Sequence, residues 1–118
     1  MNKIILLLMT LLLVGFEKID QDDLIERKGL FYEKFSEEPY TGKIVRWFEN
    51  GQLNKTGNYK NGKMDGLWTS YTINGTLSTK THWKDGKRNG LYEYFNNGYL
   101  KTKGNFKNDK KDGLWKYY

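Results

Sequence analysis

A six-residue phrase recurs along this chain at a nearly fixed interval, and that interval leaves few folds open. Gly66-Leu67-Trp68-Thr69-Ser70-Tyr71 returns as Gly90-Leu91-Tyr92-Glu93-Tyr94-Phe95 and again as Gly113-Leu114-Trp115-Lys116-Tyr117-Tyr118. A weaker copy, Gly42-Lys43-Ile44-Val45-Arg46-Trp47, precedes them, and the four leading glycines are spaced 24, 24 and 23 residues apart. The first three copies each run on into an Asn-Gly-x-Leu tetrad, ending at Leu53, Leu77 and Leu100. An aromatic follows each of those leucines by six residues, at Tyr59, Trp83 and Phe106. Periods in this range belong to repeat architectures, in which each unit buries its apolar surface mainly against its neighbours. Such folds present surfaces more often than they enclose pockets.

Within one unit the chain reads as strand, tight turn, strand, tight turn. The pairs Asn50-Gly51, Asn74-Gly75 and Asn97-Gly98 predict two-residue hairpins, because a type I′ turn needs positive φ at both central residues. A second turn closes each unit at Asn61-Gly62, Asp85-Gly86 and Asn108-Asp109. Asp109 can replace glycine there, since Asn and Asp enter the left-handed region more readily than other side chains. No connection is long enough for a crossover helix. The expected fold is therefore all-β: an antiparallel hairpin meander forming an elongated, mostly single-layer, twisted sheet. Strands are predicted at Gly29–Phe35, Tyr40–Phe48, Gln52–Lys60, Gly66–Thr72, Thr76–Lys84, Gly90–Phe95, Tyr99–Lys107 and Gly113–Tyr118. Pro39 lies between the first two, where a turn or an edge accepts it. Equivalent side chains should stack in columns, one of Ile44, Trp68, Tyr92 and Trp115, another of Trp47, Tyr71, Phe95 and Tyr118.

At 118 residues the chain holds one folded domain at most. Residues 1–18 carry Lys3 and then an almost wholly apolar run from Ile4 to Phe16. Thirteen such residues span about 20 Å as a helix, short of the roughly 30 Å hydrocarbon core. An export signal is the expected reading, with an uncleaved membrane tether as the alternative. Phe16 stands where a lipoprotein box would need its cysteine, and the chain has no cysteine anywhere. Disulfides, thiolate nucleophiles and Cys-ligated metals are thereby excluded. Residues 19–27, acidic and weakly helical in pattern, are expected to link leader and sheet, and residues 28–118 to form the repeat domain. Charge is uneven: five basic and eight acidic side chains lie between Asp20 and Glu49, but thirteen basic and five acidic from Asn50 onward. A basic array favours acidic partners; a Lys- and Asn-rich, Ala-free composition also raises lysine content without any partner.

Gly66-Leu67-Trp68 with Tyr71, Asn74, Gly75 and Leu77 closely resembles the bacterial MORN-repeat-variant family, whose unit follows Gly-x-Trp-x-x-Tyr-x-x-Asn-Gly-x-Leu. Gly90-Leu91-Tyr92 and Gly113-Leu114-Trp115 fit the same pattern. Lys28-Gly29-Leu30-Phe31-Tyr32 and Pro39-Tyr40-Thr41-Gly42-Lys43 look like the family's opening units. The likeness covers about residues 28–118. It implies a tandem β-hairpin fold and, from the roles given to family members, an antitoxin-like function. Related eukaryotic repeats are linked to membrane phospholipids and scaffolding.

Catalytic chemistry finds little support in the residues. Gly57-Asn58-Tyr59-Lys60-Asn61-Gly62-Lys63 imitates a phosphate-binding loop, but Met64 replaces the required Ser or Thr and no helix follows. His82 is the only histidine. Asp65 and Asp85 sit at turns beside Lys63 and Lys87, where carboxylates stay solvated. The expectation is a non-catalytic, cofactor-free module that binds another protein through its sheet, exported or membrane-tethered, with no nucleic-acid partner. The competing expectation is an anionic lipid or polyanion surface binder. It rests on a cationic turn row of Lys60, Lys63, Lys84, Lys87, Arg88, Lys107, Lys110 and Lys111, recurring on one sheet edge. An antitoxin neutralising a partner toxin is a further alternative. No motif names the partner or the oligomeric state.

Overall fold

The computed structural model describes residues 18–118; of the segment 1–18, expected to be an export signal or membrane tether, all but Lys18 lies outside the described residues. Ten strands follow in order: β1 (Lys18–Asp20), β2 (Leu24–Arg27), β3 (Leu30–Glu33), β4 (Gly42–Trp47), β5 (Leu53–Lys60), β6 (Lys63–Tyr71), β7 (Leu77–Lys84), β8 (Lys87–Asn96), β9 (Tyr99–Lys107) and β10 (Lys110–Tyr117). Eight of them make one sheet in the order β1-β4-β5-β6-β7-β8-β9-β10, and β2 and β3 pair as a separate hairpin. From β4 onward every pairing is antiparallel between chain neighbours. The all-β hairpin meander is therefore present.

Its first strand is not the expected one. Leu30–Glu33, predicted to open the main sheet, pairs instead with Leu24–Arg27 across a Lys28-Gly29 turn. The edge place beside β4 goes to Lys18–Asp20, which pairs with it in parallel. The segment expected to be a linker thus supplies two strands, joined by a single 3₁₀ turn over Gln21–Asp23. The physical reason is burial. Leu24, with Phe31 packed alongside, closes over Tyr40, Ile44, Tyr59 and Trp68 as the main apolar cluster, and Ile44 is fully buried.

The two kinds of turn differ from one another. Asn61-Gly62, Asp85-Gly86 and Asn108-Asp109 have positive φ at both residues, as type I′ turns require. Asn97 and Gly98 do so as well, at +51° and +80°. At the other two Asn-Gly sites only the glycine is left-handed, Gly51 at +85° and Gly75 at +86°. There Gly51 N–H donates to the Phe48 carbonyl (2.9 Å) and Gly75 N–H to the Thr72 carbonyl (2.8 Å). Both are three-residue loops, a type I turn closed by a left-handed glycine, and not the two-residue turns expected. The third loop is one residue shorter, which accounts for the last repeat interval being 23 and not 24.

Gly75 is required by either geometry. Gly75→Val should cost about 1–3 kcal/mol, since a β-branched residue resists a left-handed backbone. Its Cβ would also come within 3.1 Å of Gln52 Oε1. Chemical denaturation followed by tryptophan fluorescence measures the loss; unchanged stability would remove the loop as described.

The leading glycine of each phrase has a different task. Strands β6, β8 and β10 begin three residues before it, and Gly66, Gly90 and Gly113 sit inside them at φ of +75°, +114° and +69°. At each, the pairing with the preceding strand slips. Between Thr56 and Asn58 of β5, for example, β6 runs from Thr69 to Asp65. The same slip recurs at Thr81/Trp83 and before Lys116. The repeated Gly-Leu-Trp or Gly-Leu-Tyr is therefore a β-bulge, which bends the strand and adds twist once per unit. Successive units are also tied at their turns. The amides of Gly62, Gly86 and Asp109 donate to the carbonyls of Tyr40, Met64 and Arg88 at 2.8, 3.0 and 3.0 Å.

Candidate interaction surfaces

One face of the sheet carries the aromatic column. Tyr59 meets Trp68 edge-on at 5.4 Å between centroids, and Phe106 meets Trp115 edge-on at 5.0 Å. Tyr92 joins the second group at 5.6 Å from Phe106. Both indoles make the same bond, Trp68 Nε1–H to the Asn58 carbonyl (3.1 Å) and Trp115 Nε1–H to the Asn105 carbonyl (3.2 Å). Under each lies a glycine. A Cβ on Gly57 would stand 2.2 Å from the Trp68 ring, and one on Gly104 the same distance from Trp115. In the intervening unit Thr81 takes the glycine's place and pairs with Tyr92, a smaller ring. Large ring over glycine and small ring over threonine are alternative fillings of one layer.

Coverage of this face is unequal. Over β4–β6 lies the β2–β3 hairpin, held by Phe31 N–H to the Gly62 carbonyl (2.9 Å); the 3₁₀ turn that precedes it adds Gln21 Nε2–H to the Tyr59 hydroxyl (3.1 Å). Burial pushes the Tyr59 phenol above its usual range, against the Gln21 bond that lowers it. Over β8–β10 no described element lies on the face. Tyr94 and Tyr117 are exposed there, Tyr117 at 67%, and Trp115 is only half-buried where Trp68 retains 4%. Between the two regions is an open groove of about 200 Å³, lined by Lys55, Met64, Trp68, Thr81 and Trp83 among others. Burial, then the neighbouring Arg46, pushes the Lys55 ammonium below its usual pKa. Among the described residues lining that groove there is no carboxylate or imidazole beside Lys55.

The cationic residues read from the sequence divide into two sets. Lys60 and Lys63, Lys84 and Lys87, and Lys107 and Lys110 are directly opposed pairs flanking the three type I′ turns at one end of the strands. All six are exposed. Like charges opposed across strands destabilise a sheet, so three such pairs in a row cost the fold something. Between the turns lies a polar cleft of about 470 Å³ lined by Lys63, Lys84, Asp85, Lys87, Asn89 and Asn108. Arg88 and Lys111 leave this row for the aromatic face. Arg88 sits 4.1 Å over the Phe106 ring and pairs with Asp109 at 3.1 Å. The Arg88 amide, then its guanidinium, hold the Asp109 carboxyl below its usual range. Lys111 lies over Trp115 at 4.6 Å and donates to the Tyr117 hydroxyl at 3.0 Å. Period alone could not separate the two sets, because cross-strand register decides which face a side chain joins.

The structural turns named from the sequence, Asn50, Gly51, Asn74, Gly75, Asn97 and Gly98, gather at the opposite end of the strands. There Asn50 Nδ2–H donates to the Ile73 carbonyl (3.0 Å), linking adjacent loops. His82 is half-buried, its Nδ1 at 2.9 Å from the Leu91 carbonyl. The phosphate-loop imitation lies along β5 and its turn, with no helix behind it. Among the described residues no group of three or more His, Cys, Asp or Glu side chains is placed to hold a metal ion. Nor is any described helix long and apolar enough to cross a membrane. The signal that sequence reasoning missed is the pairing of Gly57 with Trp68, Thr81 with Tyr92 and Gly104 with Trp115, each separated by eleven residues. The chain matches no protein-family model, no curated protein and no solved structure.

Proposed function

We propose that the chain is a non-catalytic repeat module of the MORN-variant type that binds another protein through the aromatic face of its sheet, outside the cytoplasm or tethered to the membrane. The observation that carries this is the bare end of that face over β8–β10. There Tyr94, Tyr117 and the half-buried Trp115 stand beside Lys111, a combination of aromatic bulk and flanking charge common in protein interfaces. The side chains best placed for acid–base work are otherwise engaged, His82 with the Leu91 carbonyl and Asp109 with Arg88. The apolar run from Ile4 to Phe16 motivates the export reading. A photocrosslinking residue at position 117 should capture a protein in the native host. One at position 67, on the opposite face, should not. Equal capture from both positions, or from neither, would remove this reading.

The three opposed lysine pairs favour a second reading, an anionic lipid or polyanion surface binder. Vesicles containing anionic lipid should then sediment the protein at low salt and release it as salt rises, since surface charges are screened beyond about 10 Å at 0.1 M. Absent or salt-insensitive sedimentation would exclude it. An antitoxin role is the third, carried only by the resemblance. Coexpression with a candidate toxin decides it, because a true antitoxin would restore growth.

A further inference from the structure

The chain shows on itself how such an aromatic face is covered. Ile44, Tyr59 and Trp68 receive the β2–β3 hairpin; Tyr92, Phe106 and Trp115 are their counterparts two repeats later, with the same glycine beneath the indole and the same indole-to-carbonyl bond. The second surface lies bare. The two ends of the molecule also differ in charge. Seven carboxylates and four cations lie between Lys18 and Glu38, whereas seven cations and three carboxylates lie from Arg88 to Tyr118. On the acidic end Ile25 and Phe35 point apolar surface outward, at 44% and 94% exposure.

We propose that the bare end of the aromatic face, over β8–β10, is a docking site for the acidic N-terminal end of a second copy of this chain. Ile25 and Phe35 of one copy would cover Tyr94, Trp115 and Tyr117 of the other, with carboxylates of the first facing Lys111 and its neighbours. This deepens the protein-binding reading above and rests on it. The surfaces that meet are different parts of one chain, so two copies can make the contact reciprocally about a two-fold axis. Three strands about 4.8 Å apart and some 30 Å long offer roughly 400 Å². That is half of the roughly 800 Å² per partner usual in a stable complex, so a pair making the contact twice, reciprocally, is the expected form.

Sedimentation of the full chain over a wide concentration range tests this. The mass should rise from 14.0 kDa to twice that value. Tyr117→Asp and Ile25→Asp, both at exposed positions, should each raise the dissociation constant about tenfold or more, with circular dichroism unchanged. Raising salt from roughly 0.05 to 0.5 M should weaken the pair by a similar factor. Mixing the two variants should restore part of the affinity, because one intact contact can form between them. Association through the apolar residues Ile4–Phe16 would persist in both variants and resist salt, and that result would overturn the proposal. A chain monomeric at every concentration would do the same, leaving the crosslinks from position 117 to judge the wider protein-binding reading.

Discussion

Gly57→Ala should destabilise the protein by about 3 kcal/mol or more, at the upper end of what overpacking a core costs. The cause is purely steric. Gly57 is not among the left-handed glycines, so alanine suits its backbone. Its Cβ, however, would stand 2.2 to 2.6 Å from three atoms of the Trp68 ring. That indole is held from every side: Tyr59 meets it edge-on, its Nε1–H bonds the Asn58 carbonyl, and the β2–β3 hairpin closes above. For a domain of this size the loss corresponds to a fall of roughly 12–20 °C in Tm. The second repeat suggests the cure, since Thr81 faces Tyr92 in the equivalent pair. Gly57→Thr should be severe alone, Trp68→Tyr moderate, and the double variant better than their sum by about 1–3 kcal/mol, as expected for residues in direct contact. Additive losses would show that the two positions do not share one packing layer. A Gly57→Ala variant melting with the wild type would place Trp68 elsewhere.

The hairpin ladder was legible because its determinants are local. Asn61-Gly62, Asp85-Gly86 and Asn108-Asp109 fix their own backbone, and from β4 to β10 each strand pairs with its neighbour along the chain. Even the irregular interval of 23 residues carried meaning, as one residue missing from the Asn97-Gly98 loop. The strands Gly66–Thr72, Gly90–Phe95 and Gly113–Tyr118 were placed three residues late at their starts, because a leading glycine reads as a boundary and here is a bulge. What the pattern could not reveal has no repeat counterpart. Lys18–Asp20 pairs with β4 in parallel across more than twenty intervening residues, and no turn chemistry announces such a contact. Nor was the hairpin that joins Leu24–Arg27 to Leu30–Glu33 across Lys28-Gly29 foreseen, because the acidic, weakly helical pattern of residues 19–27 read as a linker. Of the cationic row, the three lysine pairs were legible from their turns. The departure of Arg88 and Lys111 for the aromatic face was not, since Lys111 is placed by its pairing with Phe106 and Arg88 by its bond to Asp109.

Trp68→Ala and Trp115→Ala should differ sharply although the two residues are equivalent in sequence. Trp68 retains 4% of its accessible surface, and removing so large a buried ring costs about 3–5 kcal/mol. Trp115 lies over a glycine in the same way and makes the same indole bond, but no hairpin covers it and Lys111 is its only described lid. With less area withdrawn from water, its loss should cost roughly half as much in dilute protein. Concentration should change the comparison. A partner bound to the folded chain adds stability in proportion to the logarithm of its concentration over the dissociation constant. If a second copy docks on β8–β10, concentrated wild-type protein gains that increment and Trp115→Ala protein does not. The measured cost of Trp115→Ala should therefore climb with concentration. Phe35→Asn, which keeps a residue suited to the left-handed φ of 67° at that exposed corner, should remove the same increment while leaving the isolated chain as stable as before. Equal costs for the two tryptophans in dilute protein would mean that the far end of the face is already covered within a single chain.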